Sequence, residues 1–202
     1  MRIGLFGGSF DPIHNGHILP VLEARRALAL DRVLFLPTAA PPHKPGRVLA
    51  PAWSRFAMVE LALLEVDGCF ASPYEVTPGV ATYTVDSVEH FRKQEPGAEL
   101  FLILGADSLA SFHLWRRWRE ILEAAELVVL RRPGWILDLD PDEASVELLR
   151  AIDEGRVHFV EHHPVAVSST ELRRSLAAGE ELPAAAIPGL VLQYIHKYAL
   201  YR

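Results

Sequence analysis

Gly4-Leu5-Phe6-Gly7-Gly8-Ser9-Phe10-Asp11-Pro12-Ile13-His14-Asn15-Gly16-His17 opens on a short apolar run, breaks at paired glycines and passes into a helical pattern. A strand that ends in glycines and feeds a helix suits an anion. Gly7 and Gly8 bring the backbone close to a polyphosphate without a Cβ in the way, and they can adopt positive φ to aim N–H groups at it. The helix that follows presents free N–H groups and its positive dipole end to the same place. His14 and His17 are three apart, so on a first helical turn both imidazoles face one side, which Gly16 keeps open. The spacing fits neither G-x-G-x-x-G nor G-x-x-x-x-G-K-[ST], so two common nucleotide-binding motifs are set aside.

Working outward, further apolar runs at residues 33–36, 100–104, 127–130 and 157–160 join the first run, 2–6, as buried parallel strands. Segments 16–30, 53–66, 84–93, 141–153, 169–178 and 188–198 carry apolar residues at spacings of three and four and read as helices. The alternation predicts an α/β fold: a doubly wound parallel sheet whose ligands lie at the carboxyl ends of the strands, where the winding reverses. The last third is more helical. No repeat or composition shift divides residues 1–202, so one domain is expected. Residues 37–51, with Pro41-Pro42-His43-Lys44-Pro45-Gly46, form a surface loop beside that edge, suited to act as a lid.

Composition narrows the function. A formal net charge of -6 provides no global field for nucleic acid or for an anionic membrane surface. Cys69 is the only cysteine, which excludes an internal disulfide framework and fits a reducing compartment. The N-terminus reads straight into a strand rather than a signal peptide, and no apolar stretch reaches the roughly 18 residues of a membrane span. A soluble, cytoplasmic protein is expected. A homo-oligomer stays open.

A second motif lies at Val167-Ser168-Ser169-Thr170-Glu171-Leu172-Arg173-Arg174. Ser168 or Ser169 reads as a helix N-cap, and the same hydroxyls and amides with Arg173 one turn on would form a second anion cradle. Arg174 reads as a solvated neighbour. The two motifs together resemble the HxGH nucleotidyltransferase superfamily, whose members move a nucleoside monophosphate from a triphosphate to an acceptor. The superfamily's Ile-Ser-Ser-Thr-x-x-Arg is changed here only by Val167. Three further segments make the chain similar to the nicotinate-nucleotide adenylyltransferases: Leu104-Gly105-Ala106-Asp107-Ser108-Leu109 followed by Trp115, Thr82-Tyr83-Thr84 with Asp86, and Pro-Pro-His-Lys ending at Lys44. The likeness runs in order from residue 2 to about residue 199.

The resemblance implies a Rossmann-like nucleotidyltransferase fold that joins the AMP part of ATP to nicotinate mononucleotide. It implies phosphate contacts from Gly7, Gly8, Ser9, His14, His17, Lys44, Ser168, Ser169 and Arg173. Trp115 would stack on the pyridine ring, with Thr82, Tyr83 and Thr84 lining the nicotinate end and Gly105 and Asp107 near ribose and phosphate. The alternative readings are a helix cap for Asp107, a helix start for Thr82 to Thr84, one core and one surface aromatic for Trp115 and Trp118, and an exposed loop lysine for Lys44. Arg132 of Arg132-Pro133-Gly134 belongs to the familiar pattern with a less definite role. No carboxylate cluster has the spacing of a metal cage, so no protein metal site is expected and Mg²⁺ would arrive with ATP. The remaining histidines read as structural or exposed.

Phosphopantetheine adenylyltransferases and small cytidylyltransferases are the nearest competing readings. They use shorter chains and lack the combined Pro-Pro-His-Lys, Gly-Ala-Asp and downstream Trp pattern. A class I tRNA synthetase would need a Lys-Met-Ser-Lys-Ser motif, which is absent. A nucleotide sensor that binds without turnover is the alternative from outside enzymes.

Overall fold

The computed structural model describes residues 1–39, 49–80, 83–137 and 143–202. Six parallel strands form one sheet in the order β3-β2-β1-β4-β5-β6. They are β1 (Arg2–Gly8), β2 (Arg32–Pro37), β3 (Cys69–Ala71), β4 (Glu99–Gly105), β5 (Glu126–Arg131) and β6 (Val157–Glu161). The five expected strands are all present. The addition is β3, whose three residues are too short to give a periodic signal and which, among the described residues, pairs with β2 alone. The helices are α1 (Asn15–Ala27), α2 (Ala52–Leu63), α3 (Thr84–Gln94), α4 (Ala106–Ala110), α5 (Trp118–Ala124), α6 (Glu143–Asp153), α7 (Ser169–Ala178) and α8 (Gly189–Lys197). Two of them, α4 and α5, are one to two turns long and were not expected from the spacing. Helix α1 stops before the expected Leu30, because Ala29 takes a left-handed φ of 48° and Leu30 N–H turns back to Arg25 O.

Alternate residues of each strand feed opposite cores, as a sheet covered on both faces requires. Phe35, Phe101, Ile103, Val128 and Leu130 pack with α1, α2 and α8 on one face. Ile3, Leu5, Leu102, Leu104 and Val129 pack with α3, α5 and α6 on the other. Gly4 lies between them in β1. A Cβ there would stand 2.9 Å from Ile103 Cδ1 and 3.1 Å from side-chain atoms of Leu30 and Val33.

The register locates the site. β1 stays paired with β2 as far as Gly8↔Pro37, whereas its pairing with β4 ends at Phe6↔Ile103. Chain connections leave β1 for β2 and β3 on one side and return to β4 on the other. Past residue 6 the sheet therefore opens at its carboxyl edge, at the point where such folds bind ligands.

That edge is held by Arg55 of α2, whose side chain is fully buried. Its Nη1 donates to Ser9 O at 2.7 Å, its Nη2 to Ala39 O at 3.0 Å and its Nε to Ala50 O at 2.9 Å. One guanidinium thus joins the turn after β1 to two points that flank residues 40–48. Replacing it removes a buried donor from three carbonyls. Arg55→Met should lower unfolding stability by about 3 to 5 kcal/mol, the usual effect of emptying one side of a buried charged network. Urea denaturation of the variant measures it.

Candidate active site

A cavity of about 620 Å³ occupies the gap between β1 and β4. Gly7, Gly8, Ser9, Tyr83, Thr84, Gly105, Asp107 and Trp115 line it, so eight of the expected residues meet at one place. Tyr83 is the N-cap of α3 and Thr84 its first residue, which puts the unpaired amides of that helix at the cavity. Arg116 lies over the Tyr83 ring at 4.6 Å. Trp115 is half-buried, 5.3 Å from the Phe112 ring, while Trp118 is buried in the core. The two tryptophans thus divide as one core and one site aromatic. Asp107 is not a cap: Gly105 is the N-cap of α4, and Asp107 is exposed in the first turn with its carboxylate beside the cavity. Arg132 is exposed and is not among the lining residues. His43, Lys44 and Thr82 lie outside the described residues.

The glycine turn differs from expectation in one respect. Neither Gly7 nor Gly8 has positive φ; the left-handed residue is Phe10, at 44°. Gly8 is needed for room instead, since a Cβ there would touch the Phe10 ring at 2.9 Å. Gly7 faces open space. Gly16 serves a similar purpose. A Cβ on it would lie 2.9 Å from His14 Cε1 and Nδ1, so its absence admits the His14 ring.

His14 caps α1, and its ring stacks on that of His17 with centroids 3.8 Å apart. The His14 backbone N–H donates to His17 Nδ1 at 3.3 Å. With Nδ1 accepting, a neutral His17 carries its proton on Nε2, which makes that edge a hydrogen-bond donor. Burial pushes both imidazoles down, His14 to about 4, and the neighbouring His14 lowers His17 further.

The second motif packs against the first across more than 150 residues of chain. Ser169 Oγ donates to Pro12 O at 3.0 Å, and Arg173 Nη1 donates to Asp11 O at 2.6 Å. Ser168 is the N-cap of α7: its Oγ accepts the Glu171 N–H at 3.2 Å and donates to the Glu171 carboxylate at 2.7 Å. Both serine hydroxyls are therefore engaged. Helix α7 begins at this end, where a helix presents N–H groups that no carbonyl of its own accepts.

Two further acids belong to the site and were missed in the sequence. Asp11 is 1% exposed and takes Tyr201 Oη–H at 2.8 Å and Ala50 N–H at 3.1 Å on Oδ1. Glu75 lines the cavity, 8% exposed, and accepts the Ser87 hydroxyl at 2.7 Å. Burial pushes its carboxyl up, against hydrogen bonds from Ser87 and Thr38 that lower it. An acid between Tyr74 and Val76 was the available signal. Among the described residues no group of three His, Cys, Asp or Glu side chains is placed to hold a metal ion, and no helix is long and apolar enough to cross a membrane.

A switch-point cavity lined by the glycine turn, with the start of α7 bonded to the segment that leads into α1, is the arrangement of a nucleotidyltransferase. The Cytidylyltransferase-like family matches residues 5–175. The chain is 39% identical to a protein of Shewanella putrefaciens over 100% of its own length and 99% of that protein's. It is 41% identical to one of Neisseria gonorrhoeae, covering 99% and 98%. Both are named probable nicotinate-nucleotide adenylyltransferase. The chain belongs to the nicotinate-nucleotide adenylyltransferase family. Its fold matches two structures of the Plasmodium falciparum nicotinic acid mononucleotide adenylyltransferase at 18% identity. One is complexed with NaAD (TM-score 0.75, 99% of this chain and 97% of that one), the other with APC (0.76, 99% and 96%).

The depressed imidazoles make stability depend on pH. Unfolded His14 takes up a proton near its ordinary 6.5, whereas folded His14 does so only near 4. Between those values the unfolded chain binds more protons, so stability is fully present above about 6.5 and is lost as pH falls towards 4. The melting temperature of His14→Asn should fall less steeply across that window than that of the parent protein. Parallel slopes would mean that His14 is not held neutral by the fold.

Proposed function

We propose that this chain transfers the adenylyl group of ATP to nicotinate mononucleotide, releasing pyrophosphate and forming nicotinate adenine dinucleotide for NAD biosynthesis in the cytoplasm. The observation that carries the reading is a cavity of about 620 Å³ lined by Gly7, Gly8 and Ser9, with the start of α7 bonded to Asp11 and Pro12 just beyond that turn. The full-length likeness to proteins of that name supports the choice of acceptor.

The acceptor's 5′-phosphate is already an anion near neutral pH, so no residue has to remove a proton. One of its oxygens forms a bond to the α-phosphorus while the bond from that phosphorus to the bridging oxygen breaks, and the electron pair leaves with pyrophosphate. What the protein must supply is alignment of two mutually repelling phosphates and stabilisation of the charge that spreads between them. His17 Nε2–H, His14 and the first amides of α1 meet the α-phosphate. Arg173 and the amides at Ser168 and Ser169 hold the β- and γ-phosphates. Lys44 adds a positive charge. ATP enters as its Mg²⁺ complex, the ion being carried on phosphate oxygens. In the cavity the pyridine ring stacks on Trp115, its carboxylate takes the amides at Tyr83 and Thr84, and Asp107 and Gly105 contact ribose.

His17→Ala should lower kcat roughly a hundredfold, the usual loss for one oxyanion donor, with smaller changes in either KM. Near-normal kcat in a folded variant would remove His17 from the reaction.

The assay that tests the reading follows pyrophosphate with MgATP and either nicotinate or nicotinamide mononucleotide. A carboxylate only accepts, whereas an amide would aim an NH₂ at the donors of α3. The expected outcome is kcat/KM for the acid higher by about 10² or more. Equal values would displace the acid as acceptor and leave adenylyl transfer intact, while binding without pyrophosphate would make the chain a sensor.

A further inference from the structure

We propose that Tyr201, the penultimate residue, is a positioning residue for ATP: through Asp11 it keeps Arg173 anchored beside the glycine turn yet available to phosphate. The inference rests on the assignment of Arg173 to the triphosphate.

The tail after α8 is bent by two left-handed residues, Ala199 at φ 52° and Tyr201 at φ 64°, with Leu200 N–H returning to Ile195 O. The bend brings the Tyr201 ring against the core that α1, α2 and α8 share, and its hydroxyl to Asp11 Oδ1 at 2.8 Å. Burial and the Asp11 carboxylate push the phenol up, so it keeps its proton and acts as donor. Oδ1 also holds the Ala50 N–H and is fully occupied. The other oxygen, Oδ2, is buried without a hydrogen bond and lies 3.6 Å from Arg173 Nη1.

That asymmetry is the point. A carboxylate and a guanidinium left to themselves close into a bidentate pair at about 2.8 Å. Here one carboxylate oxygen is held elsewhere, and Arg173 is fixed mainly by a neutral acceptor, Asp11 O at 2.6 Å, and by Thr170 Oγ1 at 3.2 Å. Its charge is left incompletely paired, at a side chain still 19% exposed. Without the phenol, Oδ1 would lose a donor and the carboxylate could turn towards Arg173. The tightened pair would then compete with the phosphates.

The test is steady-state kinetics of Tyr201→Phe, alone and combined with Arg173→Ala. Tyr201→Phe should raise KM for ATP roughly tenfold, the weight of one hydrogen bond to a charged group, and leave KM for the mononucleotide within about twofold. In the Arg173→Ala background Tyr201→Phe should have no effect. An unchanged KM for ATP, a parallel rise for both substrates or an undiminished effect without Arg173 would each overturn the inference. If Tyr201→Phe does not fold, Tyr201→Leu, alone and combined with Arg173→Ala, is read by the same outcomes. Arg173→Ala with normal KM for ATP would instead remove the arginine from the triphosphate site, which separates failure of that assignment from failure of the tyrosine's role.

Discussion

A carboxylate at 1% exposure has to be paired, and Asp11 recruits its partners from three distant parts of the chain. Ala50 comes from the segment before α2, Arg173 from α7 and Tyr201 from the C-terminal tail. The desolvation of one side chain thus draws the glycine turn, the flank of the 40–48 segment and both C-terminal helices to a single point. Arg55 repeats the pattern from below, with three carbonyls as partners and Asp11 supplying the opposite charge that offsets part of its desolvation. Each contact is modest. Together they fix the turn where the proposed reaction needs its least mobile backbone.

The paired imidazoles show the same economy of charge. Two cations with ring centroids 3.8 Å apart in a desolvated turn would repel, so both rings rest neutral and stack. Neutrality is compatible with the proposed role, because the His14 N–H already occupies His17 Nδ1 and so sets the proton on Nε2. In the proposed reaction, a polyphosphate at that edge would supply opposite charge, and positive charge on the imidazoles would become favourable only with the anion in place.

The fold was legible because its signals are periodic and local: five buried strands, helices between them, and a glycine break at the switch point. What escaped was short or distant. Strand β3 has three residues and α4 five, too few for a period to register. Arg55 looks in sequence like an ordinary polar position of an amphipathic helix, and nothing nearby foretells three carbonyls converging on it. Tyr201 meets Asp11 across 190 residues. The expected residues that the structure gathers at the cavity belong to motifs with fixed spacing. The mistaken detail, positive φ at Gly7 and Gly8, came from assigning to glycine a bend that Phe10 makes, its side chain packed against Phe6 and Phe35.

The two cores explain why the site has two halves. Most apolar residues behind the cavity, Leu5, Leu36, Val88, Leu102 and Leu104, belong to the core under α3 and α5, while Phe6 and Ile103 come from the other core. Ile13 and Ile18, on either side of the imidazoles in sequence, belong to that second core under α1 and α8. The sheet separates these layers everywhere except at its carboxyl edge, where β1 runs on past its last pair with β4. Gly7, Gly8 and Ser9 form that border. An acceptor held on one face and a triphosphate on the other could bring their phosphates together only there, and a side chain at residue 7 would project into the open space beside it. The requirement for an in-line approach and the topology of a doubly wound sheet thus converge on the same few backbone atoms.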